Sequence, residues 1–164
     1  MIQNDLEIAS FVLKNGVDRI FIDLEKLDKD KRQGHLNTWK SNHVMSDVEK
    51  MRKVASKGSL LVRLNKWNRN SNNEIREAID KGADFLMLPM INSLKEIELF
   101  CDLVNKEVPV IPLIETEISL KLLPEIIEIP GVHEIYIGLN DLSISLNYKF
   151  CFEPLIYDFL EESA

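Results

Sequence analysis

Charged side chains recur at one position of a repeated pattern. Ile20-Phe21-Ile22 leads to Asp23 and Glu25, and Leu60-Leu61-Val62 leads to Arg63. Pro112-Leu113-Ile114 leads to Glu115-Thr116, and Ile135-Tyr136-Ile137-Gly138-Leu139 leads to Asn140-Asp141. Each apolar run has the length of a buried strand. In parallel α/β folds, reactive groups gather at the C-terminal ends of strands. Glu115 and Asp141 read as equivalent positions on neighbouring strands, with Arg63 close by. Two carboxylates suit a hard cation such as Mg²⁺, which completes its shell with water and substrate oxygens. A guanidinium offers fixed donors to a developing oxyanion. The trio therefore suits enolate chemistry on a 2-oxo acid. A charge that ends a strand is also an ordinary solvated cap or ion-pair member. Asp23 and Glu25 read either as supports for such a centre or as partners of Lys26 or Arg19.

The elements that must position these groups follow a strand–helix grammar. Gly16, Gly58, Gly82 and Gly131 each sit just before an apolar run, where a helix ends and a strand begins. Ser46–Glu49, Ser71–Glu74 and Ser93–Glu96 match capping boxes that open helices. Behind them, Val48, Met51 and Val54, then Ile75, Ala78 and Ile79, then Ile97, Phe100, Cys101 and Val104, follow helical spacing. An earlier helix carries Leu6, Ala9, Val12 and Leu13, and a later one starts near Thr116 and restarts near Pro124. Strand starts near residues 19, 60, 85, 110 and 135 put the last three 25 residues after their predecessors. Repeated βα units imply a parallel sheet with right-handed crossovers. That leaves an open doubly wound sheet or a (β/α) barrel of TIM type. No GxGxxG fingerprint supports the former, and a whole barrel usually takes about 250 residues. The expectation is an incomplete barrel of five or six strands, with Met1–Gln3 as a remnant sixth. Leu86, Leu88, Ile111 and Leu113 are expected to face its interior.

The 164 residues suit a single domain and carry a net charge of −7, which disfavours nucleic acid and anionic membrane surfaces as partners. No apolar run reaches membrane-spanning length, and there is no signal-peptide pattern. Cys101 and Cys151 form no CxxC pair, so a reducing cytoplasm is expected. The segment from Leu24 to Met45 far exceeds the about 2–6 residues of a usual βα loop. It holds Trp39, His35 and His43, solvated loop histidines or bases near the reactive face. His133, ahead of a strand on the opposite face, reads as structural, and Lys26–Arg32 as a solvated face.

At these residues the sequence resembles the HpcH/HpaI aldolase and citrate lyase family. The resemblance runs from about residue 3 to 153 through Gly16–Glu25, Leu60–Leu64, Gly82–Met90, Ile114-Glu115-Thr116 and Ile137–Ser143. It implies a (β/α)8 barrel that makes or breaks carbon–carbon bonds with a divalent metal, Mg²⁺ or Mn²⁺. Glu115 and Asp141 match the metal ligands and Arg63 the enolate-stabilising arginine, with Gly138 and Asn140 beside the substrate. There are departures. The family's Asp-Gly-Glu-His reads Asp23-Leu24-Glu25-Lys26, so its histidine is absent, and Leu113 replaces a common glutamine. His43 or His35 could take over that base. Arg32–His35 and Ser41-Asn42-His43 resemble a less characterised branch often found in surface polysaccharide gene clusters. The last two or three βα units are missing and the first strand is clipped.

These features predict a metal-dependent lyase that works through a pyruvate enolate, with Arg63, His43, Asp23 and Glu25 catalytic. The alternative is an inactive, truncated relative serving as a fragment or assembly partner; an acyl-CoA lyase ranks third, for want of a basic pocket. A truncated barrel exposes edges and apolar surface, so self-association is expected, with the tail Phe152–Leu160 as a cap or docking segment.

Overall fold

A computed structural model describes residues 1–27 and 41–156. His35, Trp39, residues 28–32 of the charged run and residues 157–164 of the tail lie outside the described residues. The order is α1 (Leu6–Lys14), β1 (Ile20–Asp23), α2 (Met45–Arg52), β2 (Leu60–Arg63), α3 (Ser71–Asp80), β3 (Phe85–Leu88) and α4 (Leu94–Val104). There follow β4 (Val110–Ile114), α5 (Glu117–Lys121), α6 (Leu123–Ile126), β5 (Tyr136–Ile137), α7 (Leu139–Ser145) and a 3₁₀ turn, Glu153–Ile156. Among the described residues no helix is long and apolar enough to cross a membrane.

All five strands are parallel and lie side by side in chain order. A doubly wound sheet would reverse its order at a switch point; this one winds in a single direction, as an incomplete barrel. Four inter-strand steps of about 4.8 Å would set the edges of a flat sheet about 19 Å apart. Yet Arg19, just before β1, meets Glu134, just before β5, through two hydrogen bonds of 2.6 Å. The sheet is therefore curled. The Arg19 guanidinium also lies 4.0 Å from the Phe85 ring centre, covering the barrel's lower end. Met1–Gln3 contributes an isolated parallel bridge from Ile2 to Phe21, short of a full sixth strand.

Alternation along each strand divides the core. Phe21, Leu61, Phe85, Met87, Ile111 and Leu113 form the inner cluster. Ile20, Ile22, Leu60, Val62, Leu86, Leu88, Val110 and Ile114 pack outward with Val48, Met51, Ile75, Ile97 and Phe100 of the helices. The expectation for Leu86 and Leu88 is thus corrected. Leu61 pairs with Phe85 and Arg63 with Met87, so the odd-numbered residues of β3 face inward.

Helix starts follow local chemistry, with two corrections. α2 begins one residue before Ser46, because the Asp47 carboxylate accepts the Val44 amide at 2.9 Å. α3 is preceded by Asn70, and the Ser71 hydroxyl instead accepts the Asn68 amide at 2.9 Å. Ser93 caps α4 as expected, accepting the Glu96 amide.

The lower ends of β2 and β3 are tied by one carboxylate. Asp84 Oδ2 accepts the Ser59 and Leu60 amides at 3.0 and 2.9 Å and Arg52 Nη1 at 2.7 Å. Arg52 reaches on to the carbonyls of Gly82, Ala55 and Ser56. Gly82 has φ +95°, and a Cβ there would stand 2.6 Å from Arg52 Cδ, so glycine is needed twice over. Burial would raise the Asp84 pKa, but Arg52 and the amides outweigh it and hold it low. Its stabilisation is therefore present above the unfolded value of 3.8 and lost on further acidification. Asp84→Ala leaves two amides and a half-buried guanidinium unmatched. Urea unfolding at neutral pH is expected to show a loss of about 2–4 kcal/mol, with Asp84→Asn losing less.

Candidate functional site

The inner face changes character at the upper ends of the strands. Above the apolar cluster, the next inward positions are Asp23, Arg63 and Glu115. A cleft of about 630 Å³ opens over them, lined also by Phe21, Leu113, Tyr136, Gly138, Asn140, Asp141, Cys151 and Phe152. Phe152, expected to cap the barrel, does line its mouth, although half of it is exposed.

Asp23 and Arg63 are paired in register across β1 and β2. Arg63 Nε and Nη2 donate to Asp23 Oδ1 and Oδ2, both at 2.9 Å, a bidentate fork. Glu25 Oε2 lies 3.5 Å from Nη2. Among the described residues, Arg63 is the cation that the ion pairs of Asp23 and Glu25 share. No hydrogen bond among the described residues uses Nη1. Burial alone would lower the Arg63 pKa; the bond from Asp23 and the charges of Glu25, Asp23 and Glu115 raise it instead. Arg63 also lies 5.5 Å from the Phe21 ring centre, which braces its flat face.

Glu115 follows β4 directly and is 2% exposed. Thr116 halts the strand there by capping α5, its hydroxyl accepting the Ser119 amide at 2.9 Å. The Ser119 hydroxyl in turn accepts the Glu115 and Thr116 amides at 3.2 and 3.1 Å. Glu115 Oε1 accepts the Met90 amide at 2.9 Å. Met90 has φ +53°, an uncommon conformation for a side-chain-bearing residue, and the Asn92 amide group holds its carbonyl at 2.7 Å. On the other side lies Gly138. A Cβ there would fall 2.8 Å from Glu115 Cβ and 2.9 Å from Oε2, so only glycine leaves room for this carboxylate. Burial raises the Glu115 pKa to about 8, helped by the charges of Glu25 and Asp141 and opposed by Arg63 and the Met90 amide.

Asp141 is brought to the same cleft by a different route from the one expected. Ile114 pairs with Ile137, which sets Glu115 level with Gly138. Asp141 lies three residues further on, in the first turn of α7, and is 8% exposed. The two acids share a cleft without sharing a register, because β5 ends early and its chain turns at once into helix. Asn140 lies at the mouth, exposed.

His43 is buried, but it lines a neighbouring cleft with Leu24, Lys26, Asn65, Glu74 and Glu77. Its Nδ1 accepts the Asp23 amide at 3.1 Å. Asn65 joins the loops after β1 and β2, accepting the Lys26 and Leu27 amides at 2.9 and 3.1 Å. The Met90 amide and the Asn65 bridge have no motif of their own. Only the left-handed turn at Met90, with Asn92 two residues on, marks the first.

Does this arrangement fit a divalent cation? Among the described residues, no three or more His, Cys, Asp or Glu side chains are grouped to hold one. Two oxygen donors are nevertheless present, as Mg²⁺ sites completed by water and substrate require. Glu115 is buried, raised in pKa by neighbouring acids and cradled by a glycine. Such a carboxylate is stabilised by a cation placed beside it.

The comparisons agree with this architecture. Among curated proteins no sequence matches the chain. Among solved structures, the HpcH/HpaI aldolase from Desulfitobacterium hafniense DCB-2 matches with a TM-score of 0.78 at 17% identity, over 99% of this chain and 69% of that one. Citrate synthase SbnG matches at 0.73 and 16% identity, over 98% and 68%. A citrate lyase beta subunit from M. tuberculosis, complexed with oxaloacetate and magnesium, matches at 0.62 and 17%, over 90% and 59%. The chain spans 65–72% of the length of the citrate synthase and aldolase structures it matches. At such identities these likenesses establish the fold. The sequence itself matches the model of one family over residues 3–151, the stretch that builds the curled sheet and places Arg63, Glu115 and Asp141 at its upper end: the chain belongs to the HpcH/HpaI aldolase/citrate lyase family.

Proposed function

We propose that residues 1–164 form one domain of a carbon–carbon lyase acting on a 2-oxo acid, with Glu115 and Asp141 as ligands of Mg²⁺ or Mn²⁺. The observation that carries this reading is the state of Glu115, a buried carboxylate among other acids with its pKa pushed up to about 8. A cation relieves that repulsion. The magnesium and oxaloacetate of the related citrate lyase subunit support the same choice. When bound, a divalent cation supplies Lewis-acid polarisation of the 2-oxo acid.

The chain's own residues then do the following. Arg63 donates through Nη1 to the 2-oxo oxygen as enolate charge develops there. Asp23 and Glu25 fix the guanidinium by its other edge, so it need not reorganise during reaction. Gly138 and Asn140 border the substrate carboxylate. The apolar floor of Phe21 and Leu113 excludes water and strengthens every charge interaction above it.

Two outcomes test this. Arg63→Lys, lacking the planar fork, is expected to lose about 10²–10³ of turnover, the usual effect of removing an oxyanion donor. The assay is metal-dependent pyruvate release from a 4-hydroxy-2-oxo acid, with Mn²⁺ affinity by calorimetry as control. Unchanged turnover overturns the role of Arg63, and equal Mn²⁺ affinity in wild type and Asp141→Ala overturns the metal site. The second outcome concerns pH. A carboxylate raised from 4.5 to about 8 holds its proton in the fold and loses it in the unfolded chain. The metal-free protein should therefore lose stability as pH rises through that window, by on the order of a few kcal/mol. Glu115→Gln, permanently neutral, should flatten this decline and melt above wild type at pH 8. Added Mn²⁺ should reverse the order.

A further inference from the structure

We infer that His43 and Ser41 are positioning residues that complete the open edge of β1 at Asp23 and so hold the carboxylate gripping Arg63. In a parallel strand, alternate amides point to opposite neighbours. On the β2 side, the Ile20 and Leu24 amides donate to the Ser59 and Arg63 carbonyls, both at 2.9 Å. On the outer side, the Phe21 amide donates to the Met1 carbonyl at 2.8 Å, and the Gln3 amide donates to the Phe21 carbonyl at 3.4 Å. The N-terminal segment then turns into the cap of α1 at Asp5. One step further up the edge, main-chain partners give way to side chains. His43 Nδ1 accepts the Asp23 amide at 3.1 Å, and the Ser41 hydroxyl donates to the Asp23 carbonyl at 2.5 Å. Asp23 is 1% exposed and His43 3%, so water is a poor substitute for either bond. An edge group buried without a partner keeps the full cost of its desolvation.

This assigns His43 a protonation state. A ring nitrogen that accepts an amide carries no proton, so Nδ1 is bare and Nε2 bears the hydrogen. Burial lowers the His43 pKa, against the charges of Asp47 and Asp23. Asp47 of α2 already binds the Val44 amide and the Asn4 side chain. Lys26, after β1, and Glu74 and Glu77 of α3 line the same cleft. Protonating Nδ1 turns the acceptor into a donor facing a donor and pushes Asp23 away. The consequence for catalysis rests on the reading of Arg63 above; the edge network does not.

The test is NMR on the ¹⁵N-labelled, metal-free protein, which needs no turnover and so separates this inference from the lyase reading. In wild type, the Asp23 amide and Arg63 Nε–H resonances should shift together, with one midpoint below the ordinary histidine value of about 6.5. Glu115, near 8, titrates apart from it. In His43→Asn, whose Oδ1 replaces Nδ1 as an acceptor that takes no proton, both should stay flat through that midpoint. In His43→Leu, the downfield position of the Asp23 amide should be lost at every pH. Resonances that ignore His43 ionisation, or that move in His43→Asn as in wild type, overturn the inference. Where the variants do not fold, the wild-type imidazole nitrogens decide alone: a bare Nδ1 supports it and a protonated Nδ1 overturns it.

Discussion

Among the described residues, one guanidinium stands with four carboxylates. Arg63 feels Asp23, Glu25 and Glu115, and Glu115 in turn feels Glu25 and Asp141. These groups sit on an apolar floor, where charges interact far more strongly than in water. Asp23 is matched by its fork to Arg63, and Glu25 shares the same nitrogen. Glu115 receives one amide bond and the distant field of a cation already spoken for. Burial is the first reason that the Glu115 pKa is raised, and the charges of Glu25 and Asp141 add to it. A proton on Glu115 removes both costs.

The fold brings these charged groups to one end of the curled sheet. Inward positions follow a period of two, so one apolar layer after another ends in Asp23, Arg63 and Glu115 on a single face. The lower end is made of complete ion pairs, Arg19 with Glu134 and Arg52 with Asp84. The two ends thus divide the work: these pairs fix the curl below, and Arg63 with its carboxylates lines the cleft above. Gly138 and the left-handed Met90 are the local costs of seating one buried carboxylate.

Much of this was legible in the sequence, because its signals are local. Five short apolar runs, each after a glycine or a turn, became the five strands, and the charges at their ends became the cleft. What failed depended on relations between strands. Leu86 and Leu88 look like interior residues until the pairing of Leu61 with Phe85 fixes the alternation. Asp141 looks level with Glu115 until the pairing of Ile114 with Ile137 sets Gly138, three residues earlier, opposite it. The Ser46 and Ser71 boxes failed because Asp47 and Asn68 offered better local bonds. His43 drew notice as a titratable group near the reactive face. Its ring lies instead against the backbone of Asp23, a placement that no spacing along the chain encodes. The Met90 amide has no motif of its own, since every residue but proline carries one; only Asn92, two residues on, hints at its turn.

In the proposed metal site, Glu115 keeps a proton that the cation displaces. Calorimetry of Mn²⁺ binding in buffers of different ionisation enthalpy counts the protons released. With a pKa of about 8 for Glu115, about one proton per Mn²⁺ should be released at pH 7, falling toward none above pH 9. Glu115→Gln should release none at either pH. Binding at pH 7 without proton release, or release that persists in Glu115→Gln, would contradict it.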